Sequence, residues 1–291
     1  MIIHALIVAA SLMAQTPAPA VDWVKDGTFT QGIEGPAVDS QGNLFAVNFA
    51  QQGSIGIVDA NGNTTLFSHL NNGSIGNGIR FDQHGNMYIA DYVNHNILTI
   101  AKGQRHASVF AHNANMNQPN DIAISRDGVL YASDPNWAKG TGQLWRIDTD
   151  GQTHLLAKDM GTTNGVELSP DNSTLYVNES VQRKIWQFDL DANGNISNKR
   201  LLIAFDEFGL DGMRSDKQGN LYVARYGKGV VAIVSPSGDL LGEVTLTGQY
   251  PTNVAFGGKQ GRDVFVTMQK RGAIERFIAP FSGRSFNNVN E

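Results

Sequence analysis

Cysteine is absent from this sequence, so neither a disulfide framework nor a thiolate metal site enters the account, and an oxidising compartment is permitted without being required. Charge is scarce too: Asp, Glu, Lys and Arg make up 17% of the 291 residues, the formal net charge is −5, and Lys and Arg do not cluster. A nucleic-acid partner needs a concentrated basic face to neutralise phosphates, which excludes nucleic acid as an expected partner, and an anionic membrane surface for the same reason. No segment repeats its apolar residues at the spacing of an amphipathic helix. No Gly-x-Ser-x-Gly elbow offers a serine nucleophile.

Long apolar runs are also missing, with one exception at the front. Ile2 to Ala14 is almost continuously apolar, and a Gln-Thr-Pro-Ala-Pro-Ala spacer follows to Ala20. The run is too short for a membrane-spanning helix. Residues 1–20 therefore read as a secretory signal peptide and spacer, cleaved near Ala14 or Ala20, although the n-region carries only His4 and the amino terminus. The expectation is a periplasmic or secreted chain, free of the membrane after cleavage, whose residues 21–291 form one domain.

What the chain has in plenty is glycine, 32 residues, and a repeat. The stretch from Leu210 to Tyr226 holds a carboxylate at the start of one short strand, a Gly-Asn turn and a second, apolar strand. Six copies keep register: the aromatic of the second strand falls at Phe45, Tyr88, Tyr131, Tyr176, Tyr222 and Phe265, in steps of 43, 43, 45, 46 and 43 residues. A period in the forties with four short strands per unit is the signature of propeller blades. The sequence thus predicts an all-β, six-bladed β-propeller. Blade six shows only three strands, at 253–257, 263–268 and 272–277, while an orphan strand is expected at 22–28. An uncovered edge invites aggregation, so the N-terminal strand is expected to complete the last blade and close the ring.

Counting back from the aromatics, the first residue of each inner strand is Glu34, Asn77, Asn120, Asn164, Asp211 and Asn253, at offsets of 11 or 12 residues. All six are carboxylates or carboxamides. Inner strands line the central channel of a propeller, so six oxygen-bearing side chains should meet around the axis. Asn-Gly and Asp-Gly pairs also make turns, which is the competing explanation for Asn77, Asn164 and Asp211 but not for Glu34, which precedes Gly35-Pro36. Two carboxylates and neutral hard oxygens suit one divalent cation, Ca2+ first and then Mg2+ or Mn2+, with Zn2+ the least suited. The histidines from His69 onward fall in outer strands or turns. Three residues past each aromatic lie Asn48, Asp91, Asp134, Glu179, Arg225 and Met268, which topology places toward the channel mouth. With neighbours that include Trp137 and Tyr226, they are expected to form a substrate-binding rim.

Glu34-Gly35-Pro36, Gln118-Pro119-Asn120-Asp121, the run from Asn164-Gly165-Val166-Glu167 through Tyr176-Val177, and Asp211-Gly212-Met213 occur in this order at blade spacing. In these motifs, over roughly Ile33 to Thr267, the chain resembles the family of senescence marker protein, gluconolactonase and luciferin-regenerating enzyme. Pro119-Asn120-Asp121 followed by Leu130 to Pro135 is closer to its bacterial gluconolactonase-like branch. The resemblance implies a six-bladed propeller with a catalytic divalent metal held by Glu34, Asn120, Asn164 and Asp211, and hydrolysis of a small-molecule lactone. One position departs from it: where animal members carry an arginine two residues before the blade-three asparagine, this chain has Gln118, so sugar-acid specificity does not transfer directly.

On this reading the cation polarises the lactone carbonyl, Asp211 accepts a proton from the attacking water, and Glu34 balances charge. Asn77, Asp91, Asp134, Trp137, Arg225 and Tyr226 are the expected substrate contacts. The alternatives are a phosphotriesterase of diisopropyl fluorophosphatase type, using the same four ligands on phosphorus, and a non-catalytic calcium-binding propeller.

Overall fold

Tight turns dominate the local structure. The pattern Asp-x-x-Gly-Asn occurs five times, at Asp39, Asp59, Asp82, Asp191 and Asp216. In each copy the aspartate Oδ1 accepts from the backbone amides two and four residues on, and Oδ2 accepts from the asparagine side chain. The glycine takes the left-handed conformation, with φ from 75° to 86°, which a side chain would disfavour. These turns reverse the chain at the end of the propeller opposite the head of the inner strands.

The computed structural model describes residues 17–285. Most of the expected leader and the last six residues fall outside that range. The strands form six four-stranded antiparallel sheets, five of them built from strands consecutive in the chain, and no helix occurs among the described residues. Blade one is typical: Phe29–Val38, Leu44–Phe49, Ser54–Val58 and Thr64–His69. The six inner strands are Phe29–Val38, Gly76–Phe81, Ile122–Ile124, Thr163–Leu168, Met213–Ser215 and Pro251–Gly257, and neighbours touch all the way round. The protein is a six-bladed β-propeller, as the period predicts.

The ring closes as expected, with the strand slightly shorter than its sequence bounds. Val21–Val24 pairs antiparallel with Ala273–Ile278, the third strand of the last blade, with Val21 opposite Arg276 and Val24 opposite Ile274. Arg271 clamps the joint, bonding Asp22 and Glu275 at 2.8 Å and Asp26 at 2.9 Å.

The core consists of six clusters, each filling the seam between two blades. Phe45, Val47 and Ile55 of blade one meet Ile79, Ile89 and Leu98 of blade two; Tyr222 and Val231 of blade five meet Val254 and Val266 of blade six. This explains why the aromatic repeats: it is the wedge that each blade presents to the next, with Phe45 against Phe81 at 5.3 Å and Tyr222 against Phe256 at 5.0 Å between ring centroids. Burying such a ring contributes about 2–3 kcal/mol.

Candidate functional site

Five of the six sequence-derived residues stand at or just before the heads of their inner strands, and Glu34 stands at a bulge midway along Phe29–Val38; at each the ladder to the second strand is irregular or has not yet begun. Register shifts interrupt it at Glu34, beside Asn77, across Asn164 and just before Asn253. Asn120 and Asp211 precede their strands and are tied by backbone bonds to Ser133 and Ala224. Bulges of this kind re-aim a side chain, here toward the axis.

The glycines after these residues serve packing rather than turning. Gly78, Gly165 and Gly212 do not adopt a left-handed φ. A Cβ on Gly165 would lie 2.6 Å from the Asp211 carbonyl oxygen, and one on Gly212 would lie 1.9 Å from the Asn253 side chain. Even Gly35, whose φ is 57°, is pressed against the Asn77 carbonyl. Bare glycine lets successive inner strands approach, and that approach draws the head residues together.

Glu34 and Asp211 meet. They lie within hydrogen-bonding reach of one another, and both carboxyl groups are pushed toward the neutral form. For Glu34 burial is the main cause, with the Asp121 charge adding to it, so its pKa rises to about 7 although the Gly35 amide and Asn253 oppose the shift. For Asp211 burial again leads and the Glu34 charge follows, while the Asn164 amide donates to it and acts the other way. Two carboxylates this close resist carrying two charges unless a cation joins them. Around them, Asn164 and Asn253 are buried at 3% and 1% exposure, and the Oδ1 atoms of Asn77 and Asn164 have no hydrogen-bond partner. No group of three or more His, Cys, Asp or Glu side chains placed to hold a metal occurs among the described residues. The donor set here is two carboxylates with carboxamides, and partnerless buried amide oxygens beside crowded carboxylates fit a hard divalent cation.

Below this head lies a second polar layer that sequence reasoning did not anticipate. Asp121 takes Arg80 at 3.3 Å and Arg214 at 3.1 Å, and Glu167 takes Arg284. Burial pushes Asp121 up, but the two guanidinium groups outweigh it and its pKa falls. Burial and the neighbouring Arg214 lower Arg80 to about 10, which leaves it charged at neutral pH. Arg284 comes from beyond the last blade; it also donates to the Ile124 carbonyl at 2.9 Å, while its own amide bonds Ser215. A signal for this layer did exist: Arg80, Glu167 and Arg214 each lie three residues after a head residue.

The expected rim is placed differently. Asp91, Asp134 and Arg225 are buried at 0%, 0% and 2% exposure, and their polar atoms secure the loops that feed the inner strands. Asp91 accepts from the Ser74 hydroxyl at 2.7 Å and the Ile75 amide at 3.2 Å. Asp134 accepts from the Asn117 and Gln118 amides at 2.8 Å and 2.6 Å and from the Trp145 indole at 3.0 Å. Arg225 donates to the Glu207 carbonyl at 2.5 Å and stacks 3.7 Å from the centre of the Phe205 ring. Loop amides folded under the surface need acceptors, and these side chains supply them. Trp137 is exposed, at 44%. Tyr226 is half-buried; its hydroxyl donates to Gln269 Oε1 at 2.6 Å and its ring meets Tyr250 at 5.1 Å. Asn77 stands in the head ring itself. A surface cleft of about 480 Å³ between Gln51, His69 and Ser74 contains none of the head residues.

Residues 24–270 match a family model described as the SMP-30/Gluconolactonase/LRE-like region. Among curated proteins the chain is 32% identical over 150 residues to a 6-deoxy-6-sulfogluconolactonase of Pseudomonas putida, covering 50% of this chain and 52% of that one. It is 36% identical over 135 residues to a gluconolactonase of Zymomonas mobilis, covering 43% and 37%. The matches thus span about half or less of those relatives' length. Among solved structures, a protein described as a calcium-binding regucalcin from Agrobacterium tumefaciens superposes with a TM-score of 0.79 at 19% identity, covering 92% of this chain and 96% of that one. That likeness is one of fold.

Proposed function

The chain belongs to the SMP-30/gluconolactonase/LRE-like family, and we propose that it is a metal-dependent hydrolase that opens a sugar lactone at the head of its channel. The observation that carries this reading is the meeting of Glu34 and Asp211, two carboxyl groups held toward neutrality, beside amide oxygens without partners. Glu34, Asn120, Asn164 and Asp211 would hold the cation, with Ca2+ the best match to an all-oxygen set. When bound, the cation supplies Lewis-acid polarisation of the lactone carbonyl and charge for the oxyanion.

The chain's own residues do the rest. Glu34 is fixed by the Gly35 amide at 2.6 Å and the Asn253 amide at 3.1 Å, which suits it to balancing charge. The Asn164 amide beside Asp211 favours its carboxylate form; in that form it takes a proton from the attacking water and returns it to the ring oxygen as the acyl C–O bond of the lactone breaks. Trp137 and Tyr226 remain available at the open end as contacts for the substrate ring. The apolar front segment supports export to the periplasm or beyond the cell.

The test is a panel of aldonolactones and simple acyl lactones followed by acid release, before and after chelation. Turnover should disappear with the cation and return when Ca2+ is added. Turnover indifferent to chelation would remove the metal from the reading, and a panel without turnover would remove the lactonase.

A further inference from the structure

The six head residues do not play one part. Asn253 is engaged at both ends: its amide donates to Glu34 Oε2 at 3.1 Å and its Oδ1 accepts from the Val254 amide at 2.9 Å. Gly212 presses against it so closely that a Cβ there would sit 1.9 Å from its side chain. Both polar atoms of Asn253 are thus already engaged within the protein.

Asn77 is the opposite case. Its Oδ1 is buried without a hydrogen-bond partner, a condition it shares among the head residues with Asn164, one of the four that the family motif assigns to the cation. Its place in the ring is set by backbone contacts on both sides. Gly35, next to Glu34, packs on the Asn77 carbonyl, and the Gly78 amide donates to the Asn120 carbonyl at 2.8 Å. Asn77 therefore stands between Glu34 and Asn120, two of the assigned ligands. An acceptor buried without a donor costs about 1–3 kcal/mol, and no protein group removes that cost here.

We propose that Asn77 is a fifth protein ligand of the divalent cation and that Asn253 is a positioning residue that holds Glu34 toward it. The proposal rests on the reading of the channel head as a cation site. Five oxygen donors exceed what four-coordinate zinc takes. They suit calcium, which accepts roughly six to eight oxygens and so keeps about one to three positions for water and the lactone carbonyl.

Terbium, a luminescent stand-in for calcium, tests this without turnover, because its emission lifetimes in H2O and D2O count the water molecules on the ion. Asn77→Ala should add about one coordinated water and weaken Tb3+ binding by on the order of tenfold or more. Asn77→Asp should keep the wild-type water count and bind more tightly. Asn253→Ala should leave the water count unchanged while affinity falls on the order of tenfold, since an outer partner orients a ligand without being one. An unchanged water count and affinity in Asn77→Ala would overturn the proposal. Should that variant not fold, unchanged affinity in Asn77→Asp would overturn it equally. Wild-type protein that binds no Tb3+ would end the cation reading itself. Bound Tb3+ without lactone turnover would end only the hydrolase reading, and the variants would still decide the ligand.

Discussion

Two neighbouring layers of one channel handle buried polarity in opposite ways. In the lower layer every carboxylate has a guanidinium: Asp121 is shared by Arg80 and Arg214, and Glu167 is held by Arg284. Asp121 is accordingly shifted down. In the head layer Glu34 and Asp211 have each other, both are shifted up, and nearby amide oxygens face no donor. Burial alone does not distinguish the layers. What separates them is whether the protein has already supplied the counter-charge, and only the layer that has not supplied it asks for something from outside.

That difference can be broken experimentally, most severely at Asp211. Asp211→Asn should lower lactone turnover by on the order of 10³-fold or more. It should leave the melting temperature of the metal-free protein equal or higher, because one of two crowded carboxyls is gone. Turnover within tenfold of wild type would take Asp211 out of the chemistry. The lower layer should give the reverse signature. Arg284→Ala leaves Glu167 buried without its cation and should cost about 3–5 kcal/mol of stability in denaturant titration, with turnover per folded molecule little changed. Adding Glu167→Gln to Arg284→Ala should recover part of that loss.

The smallest effect is a pH dependence that sharpens the contrast. Glu34 and Asp211 have folded pKa values raised above their unfolded ones, so the folded, metal-free protein holds their protons more tightly. For Glu34 that stability is complete below its ordinary value of 4.5 and is lost as pH rises through about 7, and Asp211 acts in the same direction. Thermal melts of chelated protein should fall across that window, and Ca2+ should reverse the trend at the alkaline end. Melts that rise with pH across the same window would contradict the shift assigned to the pair.

The repeat, the number of blades and the closing strand were legible because each follows from a position that must recur: the aromatic wedge at every seam, and a last blade one strand short. The positions of the six oxygen-bearing residues were legible for the same reason, as each lies 11 or 12 residues before its wedge. The lower layer was not, because the bulge at the head shifts the inward-facing parity, so the next side chain toward the axis is three residues on rather than two. Arg80, Glu167 and Arg214 lie at that offset. Asp91, Asp134 and Arg225 were expected at the mouth because the second strand ends there. Yet the connecting loops fold over those ends, and their amides capture the side chains. The reading of Asn77, Asn164 and Asp211 as turn formers fails on conformation, since the glycines that follow them are not left-handed.

Closure also fixes an order of events during biosynthesis. Val24 pairs with Ile274, 250 positions later, so this strand has no partner until the five blades between them and most of the last have been made. Contacts this distant in sequence form late and slowly. A nascent or truncated polypeptide that stops short of Ala273–Ile278 leaves its opening strand unmatched, and interrupted translation should therefore yield material prone to self-association or proteolysis rather than a smaller working protein.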